Sequence, residues 1–138
     1  MIKIPGFLGS GISCGIKKRG KKDLALLFSE TPAKAAGLFT TNVVKAPPVV
    51  LGMERIKGGY CQAVLINSGI ANAFTGPAGM KAAVQTSRDL AQGLGITEDL
   101  VIPSSTGLIG VPLPTDKIKK AVPQLVSELR EDGILDAA

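Results

Sequence analysis

The sequence predicts a mixed α/β domain, a layered sandwich of sheet and helices. Three observations point there. Two stretches, near residues 80–94 and 115–132, keep the three-to-four spacing of amphipathic helices. Short apolar runs of strand length lie before each of them. Seventeen glycines and nine prolines interrupt the 138 residues too often for a long-helix bundle. A chain of this length is expected to form a single domain over residues 1–138, and folding buries roughly two thirds of the surface its unfolded form exposes.

Taken in order, Gly11 to Lys17 and Asp23 to Ser29 read as two short strands. The polar stretch Lys18, Arg19, Gly20, Lys21, Lys22 between them gives a hairpin signal. Its lysines fit a solvated hairpin tip better than a phosphate patch. Ala36 to Asn42 and Val43 to Leu51 look extended, and Pro47 and Pro48 force the second run to turn or to follow an edge. Tyr60 to Ile66 is a short apolar run suited to a buried strand, followed by a loop from Asn67 to Gly76. The first helix places Met80, Ala83, Val84, Ser87, Ala91 and Leu94 on one face, with Pro77 in its first turn and Gly93 or Gly95 at its end. Leu100 to Pro103 reads as a strand leading into a loop of Ser104, Ser105, Thr106 and Gly107. The second helix runs from about Thr115 to Asp132 and closes at Gly133. Pro123 inside it costs about 3 kcal/mol, so a kink or two short helices are expected.

Composition narrows the chemistry. Hydrophobic residues make up 45% and charged ones 20%, which places the chain among globular rather than disordered proteins. The net charge of +5 would tolerate nucleic acid, but aromatics are 4%, with no Trp and one Tyr, and offer little for base stacking. No nucleic-acid partner is expected; attraction of a carboxylate-bearing substrate suits the charge better. The absence of His removes His-dependent catalysis and the commonest metal ligand, so no metal site is expected. Cys14 and Cys61 form no CxxC pattern; a disulfide stays open, but free thiols in a reducing cytoplasm are expected. Met1 to Ser10 lacks the apolar run of a signal peptide, and no apolar stretch is long enough to span a membrane. The expected setting is cytoplasmic, with no membrane partner.

Two segments that follow apolar strands are rich in hydrogen-bond donors and almost uncharged: Asn67 to Gly76, and Ser104 to Gly110. Hydroxyls, amides and glycine-exposed N–H groups suit a developing oxyanion. Thr106 and Gly107 are the sharpest candidates, with Ser105 shaping the turn; Asn67, Ser68, Asn72 and Thr75 are candidates for holding backbone in place. On composition alone, an ordinary turn and helix cap is the commoner meaning of such a Ser/Thr/Gly run. Neither a P-loop ending nor a dinucleotide fingerprint is present, so no cofactor is expected. Asp23, Glu30, Asp99 and Asp116 stand singly and read as surface or capping residues.

Several motifs in order carry a family resemblance: Ala36 to Asn42, Lys45 to Val49, Asn67 to Gly76 and Ser105 to Gly110, preceded by Gly6 with Phe7, Gly15 to Lys17, and Asp23 to Leu26. Together they resemble the amino-terminal part of the ornithine acetyltransferases, also called glutamate N-acetyltransferases. The resemblance implies the layered fold of that self-cleaving family. It implies transfer of acetyl from N-acetylornithine to glutamate through an acetyl-enzyme, with acetyl-CoA as a donor in some members. The nucleophile it implies is a Thr at the new amino terminus of a second, carboxyl-terminal chain, whose α-amine serves as base. On this basis Thr106 and Gly107 would form the oxyanion hole, and the complete protein would be a hetero-oligomer. Ile70 and Phe74 stand where the family has Asn and Cys, and Pro47 where Ala is usual. The family's Lys-Gly-rich segment and nucleophilic Thr have no counterpart up to Ala138, so this chain alone is expected to be inactive. Three other readings stay open: a truncated inactive piece, a small-molecule-binding module, and part of a related self-cleaving amidase or peptidase.

Overall fold

A computed structural model describes residues 3–138. The expectations about the amino terminus and about a domain over residues 1–138 include Met1 and Ile2, which lie outside the described residues. The mixed α/β reading holds. Four strands form one sheet in sequence order: β1 (Phe7–Ile12), β2 (Leu24–Lys34), β3 (Tyr60–Ile70) and β4 (Val101–Leu108). The first three are antiparallel neighbours, whereas β3 and β4 run parallel. A parallel pair needs a long crossover. Here α2 (Gly76–Leu94) supplies it, starting with Pro77 in its first turn and ending on Gly95 at φ 69°.

The core lies between one sheet face and two helices, α2 and α3 (Thr115–Ser127). Leu24, Leu26, Leu65 and Val101 from the strands meet Leu90, Ile118, Val122 and Leu125 from the helices. Ser10 ties β1 to α3 through a hydroxyl that donates to the Leu125 carbonyl at 2.7 Å. On the opposite face, Gly9 and Gly11 of β1 admit the chain end. The Gly9 and Arg130 backbones exchange hydrogen bonds of 3.0 and 3.2 Å. A Cβ on Gly11 would overlap the Asp136 carbonyl oxygen at α4 (Ile134–Ala137).

Several expectations need correction. The first strand is Phe7–Ile12, not Gly11 to Lys17. Residues 14–17 are drawn into a turn because Asp23 takes the N–H groups of Cys14 and Lys17. Ala36 to Asn42 forms no strand. Val43 to Leu51 is not an extended run either, since α1 (Pro47–Arg55) begins within it. Pro47 and Pro48 occupy the first turn of α1, where a missing N–H costs nothing. Arg55 at its end is buried and donates to the Val101 carbonyl at 2.6 Å, fastening α1 to β4. Strands β3 and β4 both run several residues into the segments read as loops, and their Asn67–Ile70 and Ser105–Leu108 ends pair with each other. Helix α3 runs through Pro123 as one helix and stops at Ser127. Lys119 and Pro123 are exposed, so the carbonyl deprived of its helical partner lies on the solvent side, while Val122 and Leu125 stay buried. Gly133 packs against Gly9 instead of closing that helix.

Candidate functional site

The parallel pairing of β3 with β4 sets the site. In this register Ser68 lies beside Thr106 and Gly69 beside Gly107. Both glycines adopt conformations closed to other residues, with φ of 119° at Gly69 and 130° at Gly107. A Cβ on Gly107 would overlap the Gly69 carbonyl carbon. A Cβ on Gly69 would come within 2.8 Å of the Ile16 side chain. The turn at residues 14–17, the end of β3 and the end of β4 are therefore stacked in direct contact.

β4 is an edge strand. Its Leu108 carbonyl accepts the Ala71 N–H at 2.9 Å. In a parallel ladder only alternate residues of an edge strand bond the neighbour, so the even-numbered residues here turn to β3. Pro103, which has no N–H, falls on the outward side, where proline is tolerated in a strand. Gly107 follows in the register at φ 130°, packed against the Gly69 backbone. Thr106 and Gly107 are both exposed, and the Thr106 hydroxyl has no hydrogen-bond partner among the described residues. Thr106 and Ser68 also line a cavity of about 210 Å³, together with Lys17, Lys22, Asp23 and Asp136.

A network of side chains holds the two strand ends. The Ser105 hydroxyl donates to Asn67 Oδ1 at 2.6 Å, and Asn67 Nδ2 donates to the Ile70 carbonyl at 2.8 Å. Asn72 is fully buried at φ 48°; its Nδ2 donates to the Gly79 carbonyl, and its Oδ1 accepts from the Thr75 hydroxyl at 2.8 Å. Gly110 N–H closes the loop on the Ala73 carbonyl at 2.7 Å. Asn67, Asn72 and Thr75 thus hold backbone and one another, while Ser68 faces the cavity. Phe74 sits at φ 56° and is exposed, beside a larger cavity of about 610 Å³ at the start of α2.

Asp23 corrects the sequence reading: it is buried, not a surface residue. Burial by itself raises its pKa, but the N–H groups of Cys14 and Lys17, at 2.6 and 2.7 Å, outweigh that and hold the carboxyl below its ordinary value. Burial, and then the hydrogen bond and charge of Asp23, push the Cys14 thiol up to about 12. Burial also raises the Cys61 thiol. Both cysteines are free, and Cys14 stays a neutral thiol near neutrality, which removes it as a nucleophile. No helix among the described residues is long and apolar enough to cross a membrane.

Comparison with known proteins agrees along the chain. The ArgJ family model matches residues 9–138. The arginine biosynthesis bifunctional protein ArgJ of Syntrophotalea carbinolica is 49% identical over all of this chain, and the same-named protein of Caldanaerobacter subterraneus subsp. tengcongensis is 49% identical over 99% of it. The chain spans only 35% and 34% of those two relatives, about a third of their length. Among solved structures, it is similar to the ornithine acetyltransferase of Mycobacterium tuberculosis, crystallised in complex with ornithine. That match has a TM-score of 0.93 and 42% identity, covering 97% of this chain and 74% of the other. It is also similar to ArgJ of Bacillus halodurans, with a TM-score of 0.87 and 37% identity over 97% of this chain and 68% of that one. With a family match over nearly its whole length and a shared fold, the chain belongs to the ArgJ family of arginine-biosynthesis enzymes.

Proposed function

We propose that this chain supplies the oxyanion-stabilising wall of an acetyltransferase that moves acetyl from N-acetylornithine to glutamate. The nucleophile is the Thr at the head of a carboxyl-terminal chain, and the working enzyme is a cytoplasmic hetero-oligomer of the two. The single observation that carries the reading is an exposed Thr106, its hydroxyl without a partner among the described residues, next to an exposed Gly107 at the end of an edge strand packed against Gly69.

In the proposed reaction the Thr hydroxyl oxygen bonds to the acetyl carbonyl carbon, and its proton passes to the α-amine of the same Thr. The carbonyl π electrons move onto oxygen, where Thr106 and Gly107 donate to the resulting anion. Collapse breaks the carbon–nitrogen bond, and ornithine leaves with the proton on its amine. The glutamate amine then attacks the acetyl-Thr ester and passes a proton to the α-amine, the same two donors receive the second oxyanion, and collapse breaks the ester carbon–oxygen bond, releasing N-acetylglutamate as the Thr oxygen takes that proton back. No cofactor takes part. Donors fixed in place before the reaction need no rearrangement as charge develops, and one such donor contributes about 3 to 4 kcal/mol to the transition state. The Gly69–Gly107 contact supplies that fixation.

The test is acetyl transfer from N-acetylornithine to glutamate, measured with this chain alone and with a separately expressed carboxyl-terminal ArgJ chain that begins at its nucleophile. Transfer only in the mixture is the expected result. A folded mixture that transfers nothing would defeat the proposal.

A further inference from the structure

Ser104, Ser105 and Thr106 carry three hydroxyls in a row near the end of β4. Their hydrogen bonds set them apart. Asn67, beside Ser105 in the register, is 4% exposed. It shares the strand parity of Ala63 and Leu65, which belong to the core packed against α2 and α3. Its carboxamide has only one workable orientation. The Ile70 carbonyl can only accept, so Nδ2 faces it at 2.8 Å, and Oδ1 is left to accept the Ser105 hydroxyl at 2.6 Å. The single proton of Ser105 is thereby committed to Asn67 and cannot serve an oxyanion. The Thr106 hydroxyl, next along and exposed, has no such partner among the described residues.

The same carboxamide spans the segment against which Gly107 packs. Between Asn67 and its acceptor at Ile70 lie Ser68 and Gly69. The Ser68 N–H is held by the Asp23 carbonyl at 2.9 Å, and Gly69, at φ 119°, puts its backbone where a Cβ on Gly107 would stand. Asn67 therefore grips β4 one register step before Ser68 and Thr106, and grips β3 again one step after Gly69 and Gly107.

We propose that Asn67, acting through Ser105, is the positioning residue of the oxyanion donors. The inference rests on the assignment of Thr106 and Gly107 as those donors and adds what keeps them in place. Asn67 is buried on the helix side of the sheet, so it reaches the reaction only through the backbone of β4. A misplacement of about 1 Å in a catalytic site costs up to about 100-fold in rate. Because the oxyanion exists only after attack, loosening its donors lowers kcat and leaves KM nearly unchanged.

The experiment uses the enzyme reconstituted from both chains, with N-acetylornithine as donor and glutamate as acceptor. Rates are expressed per acetyl-enzyme accumulated from radiolabelled donor without glutamate, which removes any change in the folded fraction. Ser105→Ala breaks the bond and introduces no bulk or charge. It should lower kcat about 10- to 100-fold with KM within about twofold, and Ser105→Thr, which keeps the hydroxyl, should recover most of the loss. Asn67→Ala should lose at least as much as Ser105→Ala. In a Thr106→Ala background the Ser105→Ala loss should shrink at least about fivefold, because both residues act on one oxyanion. A raised KM with unchanged kcat, a Ser105→Thr enzyme as slow as Ser105→Ala, or the same factor lost with and without Thr106 overturns the Asn67 assignment; so does an Asn67→Ala enzyme that turns over like the wild type. If Thr106→Ala alone leaves kcat unchanged, the oxyanion reading itself falls, which separates the two failures.

Discussion

The Asp23 carboxylate accepts the Cys14 and Lys17 N–H groups, and its backbone carbonyl accepts the Ser68 N–H at 2.9 Å. One residue thereby joins the 14–17 turn to the strand end that lies beside Thr106. Its folded-state pKa is depressed, so it contributes stability that is present above the unfolded carboxyl value of about 3.9 and is lost as pH falls through the lower folded value. Asp23→Asn should therefore lower stability at pH 7 by about 1.5 to 3 kcal/mol and flatten the loss of stability below about pH 4. Urea titrations of both forms at pH 7 and pH 3 check this, and parallel acid profiles would contradict it. Thr106 and Gly107 were legible as a donor-rich pair because their residue types state their chemistry. Asp23 was not: a solitary carboxylate beside a lysine run looks like any surface acid, and burial arises from contacts the sequence does not display. The signal that existed was the glycine at residue 15, which marks a turn whose N–H groups need an acceptor.

At the scale of elements, α2 and α3 were readable because their apolar spacing is regular and local. The buried stripe of Ile118, Val122 and Leu125 is the one the periodicity picked out. Leu125 is fully buried, whereas Leu135 in α4 is 57% exposed. Leu125→Ala should cost about 2 to 5 kcal/mol, while Leu135→Ala should stay within about 0.5 kcal/mol. Chemical denaturation of the two variants checks the contrast; comparable losses would mean that the core has been misplaced. The ends of β3 and β4 were harder to read. Asn67, Ser68 and Gly69, like Ser104, Ser105 and Gly107, have low strand propensity, and their pairing with each other makes them strand. That pairing spans the whole of α2, so no local pattern announces it. The two prolines at 47 and 48 misled for a related reason: the chemistry that breaks a strand is the chemistry that opens a helix, and α1 is settled by its docking on β4 through Arg55.

For the molecule as a whole, one sheet face is closed by α2 and α3, and the other is covered at β1 by the chain end. The cavity beside Thr106 lies near that second covering, where strand ends from both halves of the sheet meet the 14–17 turn. This arrangement places the exposed Thr106 and the half-buried Ser68 at a single opening beside the 14–17 turn. The net charge of +5 favours the approach of an anion without selecting one. The central claim is that Thr106 acts on the oxyanion and not on the bound substrate. Its most direct test is steady-state acetyl transfer from N-acetylornithine to glutamate by the reconstituted enzyme carrying Thr106→Ala. The account predicts kcat lower by about 100- to 1,000-fold, with KM changed little, because the contact forms in the transition state. An unchanged kcat with a raised KM would contradict it and make Thr106 a substrate-binding residue.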